Sequence, residues 1–170
     1  MPFPRSKLDA YLVFVDNCVN HEALLNQFQL WCDKGRILED GTTAECHYDF
    51  GLGSFHKVQI IESSRSRLFA NHQGGYRVYC PKNDKIVTVD FVSGIAKWRT
   101  TQKSPEEVVV RCSACNEHHS LTEFVGKPIF AFGRYAFHFS DIDSVNFNHA
   151  VTEDIEKNVG RFALILKRVG

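Results

Sequence analysis

Two short cysteine turns constrain this chain more than anything else in it: Cys80-Pro81-Lys82-Asn83 and Cys112-Ser113-Ala114-Cys115. Cysteines separated by two residues hold both sulfurs on one side of a tight turn, which is what tetrahedral thiolate ligation at about 2.3 Å requires. The second turn follows the β-branched run Val108-Val109-Val110, so a strand delivers Cys112 into the turn and Cys115 points back beside it. In the first turn Asn83 stands where the second sulfur belongs, and asparagine is a poor zinc ligand. Three thiolates need a fourth ligand, and imidazole is the other common one in structural sites. His118 and His119 follow closely after Cys115, His72 lies before Cys80 across the Gly74-Gly75 turn and is the weaker choice, and Asp84 offers an oxygen. The expected metal set is Cys80, Cys112 and Cys115 with His118 or His119.

Cys80-Pro81 begins like the Cys-Pro-x-Cys knuckle of zinc ribbons, and Cys112-x-x-Cys115 matches a complete knuckle. Residues 76–121 therefore resemble a zinc ribbon with a degenerate first knuckle, over roughly a quarter of the chain. The resemblance implies a structural zinc, or a ribbon that keeps its shape with reduced, metal-free thiols. A thiol redox pair at Cys112 and Cys115 is a further alternative, but the thioredoxin arrangement needs a helix behind its cysteines. Asn116-Glu117-His118-His119-Ser120 carries no apolar helical stripe.

Of the six cysteines, Cys18, Cys32 and Cys46 lie in separate elements, which points to reduced thiols and a cytoplasmic protein. The early apolar run 11–15 is too short for a signal sequence, and no run approaches a membrane span. Fourteen phenylalanines against one methionine predict a rigid aromatic core.

Residues 10–15 (AYLVFV) read as a buried interior strand. Leu24, Leu25, Phe28, Trp31 and Cys32 then recur at helical spacing behind an Asn20 cap. Strands follow at 42–48 and 55–61 around a Gly51-Leu52-Gly53 turn, with His47 and His56 on its two sides. Residues 63–67 (SSRSR) read as a polar linker into an insert whose strands are 76–80, 86–92 and 108–112. So small a unit needs a metal or a host domain, and Phe91 and Trp98 are placed to dock it. Strands at 128–132 and 134–139 come next. Then Asn148 caps a helix carrying Val151, Ile155 and Val159, and 161–169 closes as a second interior strand. The mirrored ends predict one α+β domain over 1–170, a ferredoxin-like split βαβ sheet with the zinc-ribbon-like β insert, 76–121, in its middle. The alternative is an irregular α+β sheet with helices on one face.

Such a fold hosts unrelated activities, so function has to come from the site. Lys57 to Arg111 holds ten basic residues and five acidic ones, leaving +5 there and −5 elsewhere in a chain of zero net charge. The sequence thus predicts a non-enzymatic binding module whose partner-binding residues are Arg77, Lys97, Trp98 and Arg99. That partner would be an acidic protein surface or a nucleic acid, with no membrane involved. The enzyme alternative places its site at the end of strand 134–140, near His138 and Asp141.

Overall fold

The computed structural model describes residues 7–15, 19–43, 50, 55–144 and 146–169. Its elements run β1 (Lys7–Phe14), α1 (His21–Asp33), β2 (Lys57–Phe69), β3 (Arg77–Tyr79), α2 (Thr88–Arg99), β4 (Val109–Arg111), β5 (His118–Ser120), β6 (Val125–Lys127), β7 (Ala131–Ser140), α3 (His149–Asn158) and β8 (Phe162–Val169). The result is a mixed α+β chain with three antiparallel sheets among the described residues. The largest has the order β2-β7-β1-β8, and the two smaller ones pair β3 with β6 and β4 with β5.

Alternation along β1 divides the sheet's two faces. Ala10, Leu12 and Phe14 join Leu24 and Trp31 of α1, Phe137 and Phe139 of β7, and Val151 and Ile155 of α3. Val13, with Tyr11 at its rim, packs on the opposite face with Phe69, Ala136 and Ile165. Rings dominate the first core: Trp31 lies 5.0 Å from Phe137 and 5.1 Å from Phe50 between ring centroids. The helices α1 and α3 begin as expected, with Asn20 Oδ1 accepting from Ala23 N–H and Asn148 Oδ1 from Ala150 N–H. Gln27 is buried, and the Asn158 side-chain amide satisfies it at 2.9 Å, tying α3 to α1.

Several expectations change. β1 is interior, but β8 is an edge strand. Its two apolar faces have another cause, since Phe162, Leu164 and Leu166 pack on one core while Ile165 and Ala163 pack on the other. Residues 63–67 are no linker; they continue β2. Their pairing with β7 jumps from Glu62 opposite Tyr135 to Arg67 opposite Gly133, a bulge that frees Ser63 O to accept from Arg134 Nε at 3.1 Å. The strands expected at 128–132 and 134–139 are one strand, β7, from Ala131. At Gly133 a Cβ would stand 2.8 Å from Phe14 O, so the close crossing of β1 requires glycine. Cys18, Cys46, His47 and the glycines of the 49–53 turn lie outside the described residues.

The segment 86–92 is the largest departure, because from Thr88 onward it is helix α2 rather than strand. β-branched Ile86, Val87, Thr88 and Val89 suggest a strand, yet Val87, Phe91, Ile95 and Trp98 recur at helical spacing and all four are buried. Burying that stripe outweighs a local propensity difference of a few tenths of a kcal/mol per residue. The stripe packs with Val78, Val108, Leu121 and Phe124 into a separate core, which Phe132 of β7 completes. Trp98 meets Phe132 edge-on at 5.4 Å, so the insert does dock onto the main sheet through its aromatic residues.

Candidate metal centre

The two cysteine turns share one backbone design. Cys80 N–H donates to Lys85 O at 2.8 Å and Asp84 N–H to Cys80 O at 3.2 Å. Cys112 N–H donates to Glu117 O and Asn116 N–H to Cys112 O, each at 2.8 Å. Each turn closes on a left-handed residue, Asp84 at φ 56° and Asn116 at φ 61°, and these side chains tolerate that conformation better than most. In this correspondence Asn83 occupies the position of Cys115. Asn83 Nδ2 donates to Ala114 O at 3.0 Å, and its Oδ1 accepts from Lys85 N–H at 3.2 Å. Lys82 and Glu117 form an ion pair between the same two turns.

The fourth ligand comes from β5. His119 pairs with Val110 of β4 and turns inward, whereas its neighbour His118 faces out and is exposed. Cys80, Cys112, Cys115 and His119 bring one ligand atom each to within 4.8 Å of all the others. Cys115 Sγ is 3.1 Å from His119 Nε2. His118, His72 and Asp84 stay outside the group.

Two features surround the cluster that the sequence reading missed. Glu123 Oε2 lies 3.4 Å from His119 Nδ1, so a proton on Nδ1 faces a carboxylate and the Nε2 lone pair is left for the cluster. Glu123 is held there by Ser120 N–H at 3.0 Å within a capping box, and the Ser120-x-x-Glu123 spacing was the signal available in the sequence. Asp90, in the first turn of α2, accepts from both N–H and Oγ of Ser113 at 2.9 and 2.6 Å, fixing the second turn to the helix.

Burial pushes the Cys80 thiol up, but hydrogen bonds from Lys82 and Asn83 N–H, together with those from the Cys112 and Cys115 thiols, hold it below its ordinary range. Burial pushes Cys115 up, and the neighbouring Cys112 and Cys80 add to the rise. Three soft sulfurs and one oriented imidazole, two of the sulfurs and the imidazole buried, form a donor set that could hold a metal ion and is compatible with zinc. Cys112 and Cys115 are followed in the chain by β5, whereas a thioredoxin-type pair heads the helix that follows it.

The predicted partner-binding residues are scattered. Arg77 is exposed on β3, and Lys97 and Arg99 are exposed in the last turn of α2, where basic side chains also complement the helix dipole. Trp98 is 3% exposed; its Nε1 donates to Lys103 O at 3.0 Å and Arg65 covers its ring at 5.2 Å, so it belongs to the core of the insert and offers no face to a partner. At the other predicted site, His138 Nε2 lies 2.8 Å from Asp9 Oδ2, and Asp141 contributes its backbone N–H to Asp9 Oδ1 at 2.9 Å. Compared with protein-family models, curated proteins and solved structures, the chain matches none.

Proposed function

We propose that Cys80, Cys112, Cys115 and His119 hold one structural zinc, and that the zinc-stapled insert serves a binding module rather than an enzyme. The observation that carries the reading is the convergence of all four ligand atoms within 4.8 Å, with Glu123 behind the histidine. Zinc would tie β3 to the β4–β5 pair in a unit too small to be stable on its own sheets. We read this unit as a zinc ribbon in which His119 replaces the thiolate lost at Asn83. The antiparallel order β2-β7-β1-β8, with α1 after β1 and α3 between β7 and β8, supports a ferredoxin-like split βαβ host.

Elemental analysis of the chain purified from zinc-sufficient medium tests the metal directly. About one equivalent is expected. Less than about a tenth, with all thiols titrating as free, rejects it. A second reading, an enzyme with its site at the end of β7, is favoured by the Asp9–His138 pair and by Tyr11 stacked on His138 at 4.2 Å. The same pair also pins the end of β7 to β1, so His138→Asn should then cost stability and nothing else.

A further inference from the structure

Between β2 and the end of α2 lies a cleft of about 350 Å³, lined by Arg65, Ser66, Arg67, Leu68, Trp98 and Arg99. Three arginines from two elements line it, and among the described residues no acidic residue does. None of the three is ion-paired among the described residues. Two of them are placed by ring contacts: Arg65 sits 5.2 Å from the Trp98 centroid and donates to Trp98 O at 3.4 Å, and Arg67 sits 5.4 Å from the Phe69 centroid. The bulge between Glu62 and Arg67 releases Arg65 from the ladder and lets it reach Trp98. An arginine held by stacking keeps most of its N–H donors for a ligand and loses little freedom on using them.

The charge continues beyond this cleft. A second one, about 250 Å³, shares Arg65, Ser66 and Trp98 and adds Lys103 and Arg134, with Glu106 as its one acid. On the far side Arg99 and Lys167 both act on His72. Three arginines thus share the main cleft, and Lys103 and Arg134 carry the positive charge on into the neighbouring one, a spread wider than a single compact anion would span.

We infer that this groove binds the phosphate backbone of a single-stranded nucleic acid. Two observations select that class. Leu68 is the only apolar residue of the main cleft besides the covered Trp98, so the groove lacks the aromatic or aliphatic anchor pocket that dominates protein–protein recognition. A ligand gripped almost wholly by charge suits a phosphodiester chain. The cleft is also a small recess between a strand and a helix, which a flexible single strand can follow more readily than a stiff duplex can. With phosphate contacts only, which carry no sequence information, binding should tolerate any sequence.

The inference rests on the binding-module reading above. Its test uses fluorescence anisotropy of the full, zinc-assayed chain with a fluorescein-labelled single-stranded RNA of mixed sequence. Expected is low-salt binding that weakens with a log–log slope of about −2 or steeper, at about −0.7 per phosphate neutralised. Arg67→Gln and Arg99→Gln, which leave Trp98 covered, should each weaken binding and make the slope shallower by about 0.7. Arg77→Gln, off the groove, should change neither. Absence of RNA binding by a zinc-loaded chain overturns this inference and leaves the metal reading standing, whereas a zinc-free chain that binds RNA does the reverse. Equal binding of poly-glutamate, lost with the same variants, overturns the nucleic-acid class, and tighter binding of a duplex overturns the single strand.

Discussion

Asn83 donates its side-chain amide to Ala114 O, joining the turn that lacks a second thiol to the turn that has both. Because the two turns share their hydrogen bonds and their left-handed closing residue, Asn83 and Cys115 are equivalent positions. His119→Ala should thus release zinc to a mild chelator, and adding Asn83→Cys should restore retention with a fourth thiolate. His118→Ala should retain zinc unaided. A chromophoric chelator competition reads all three, and equal losses from the two histidine variants would show that the ligand is misassigned.

The carboxylate behind His119 gives a graded version of the same test. Glu123→Gln keeps the shape of the side chain but removes the charge facing Nδ1. Zinc affinity should fall by about 10–100-fold while the ligand set stays intact. Cobalt substitution monitors this, since the thiolate charge-transfer bands should persist in the variant.

Gly94 lies on α2 against β4, and a Cβ there would stand 2.4 Å from Val110 Cγ2 and 2.9 Å from Leu121 Cδ2. Gly94→Ala is normally favourable in a helix, yet here it should destabilise by about 1–3 kcal/mol through overpacking. A denaturant titration followed by Trp98 fluorescence gives the sign. Stabilisation would mean that α2 stands further from β4.

His72 is an exposed residue near Arg99 and Lys167. Partial desolvation holds its pKa below the ordinary 6.5, and Lys167 and Arg99 lower it further. The sign follows from the neutral form being favoured when folded: its contribution is fully present above the unfolded value and is lost as pH falls through the folded one. Arg99→Gln should raise the His72 pKa, as should any polyanion seated on Arg99. Imidazole proton shifts across a pH titration measure both, and an unmoved His72 would place Arg99 away from it.

Much of the host sheet was legible because periodicity and caps agreed, as at Asn20 with Leu24 and Trp31, and at Asn148 with Val151 and Ile155. α2 was not, because its β-branched start argues for a strand and only burial against Val78 and Leu121 decides otherwise. The choice between His118 and His119 was undecidable for a different reason. Consecutive strand residues face opposite ways, so the answer depends on the β4–β5 register, which no local spacing reveals. The edge position of β8 was hidden too, since an apolar strand looks the same whether it has one neighbour or two. Amide exchange should distinguish them, with Leu12 and Val13 of β1 slowest and the unpaired side of β8 faster. Deleting residues 161–170 should still unfold α1, because β1 pairs with β8 along its whole length.

Phe132 belongs to β7 yet completes the insert's core, while Phe137 and Phe139 of the same strand belong to the host's. Synthesis runs from the N-terminus, so a nascent chain that has emerged as far as Phe124 already carries all four proposed metal ligands but not the aromatic residue that seals the unit around them. Metal capture can therefore precede core closure on the ribosome. The ion would then act as a placeholder, holding the turn after β3 against the β4–β5 pair until Phe132 arrives with the strand that commits the rest of the molecule.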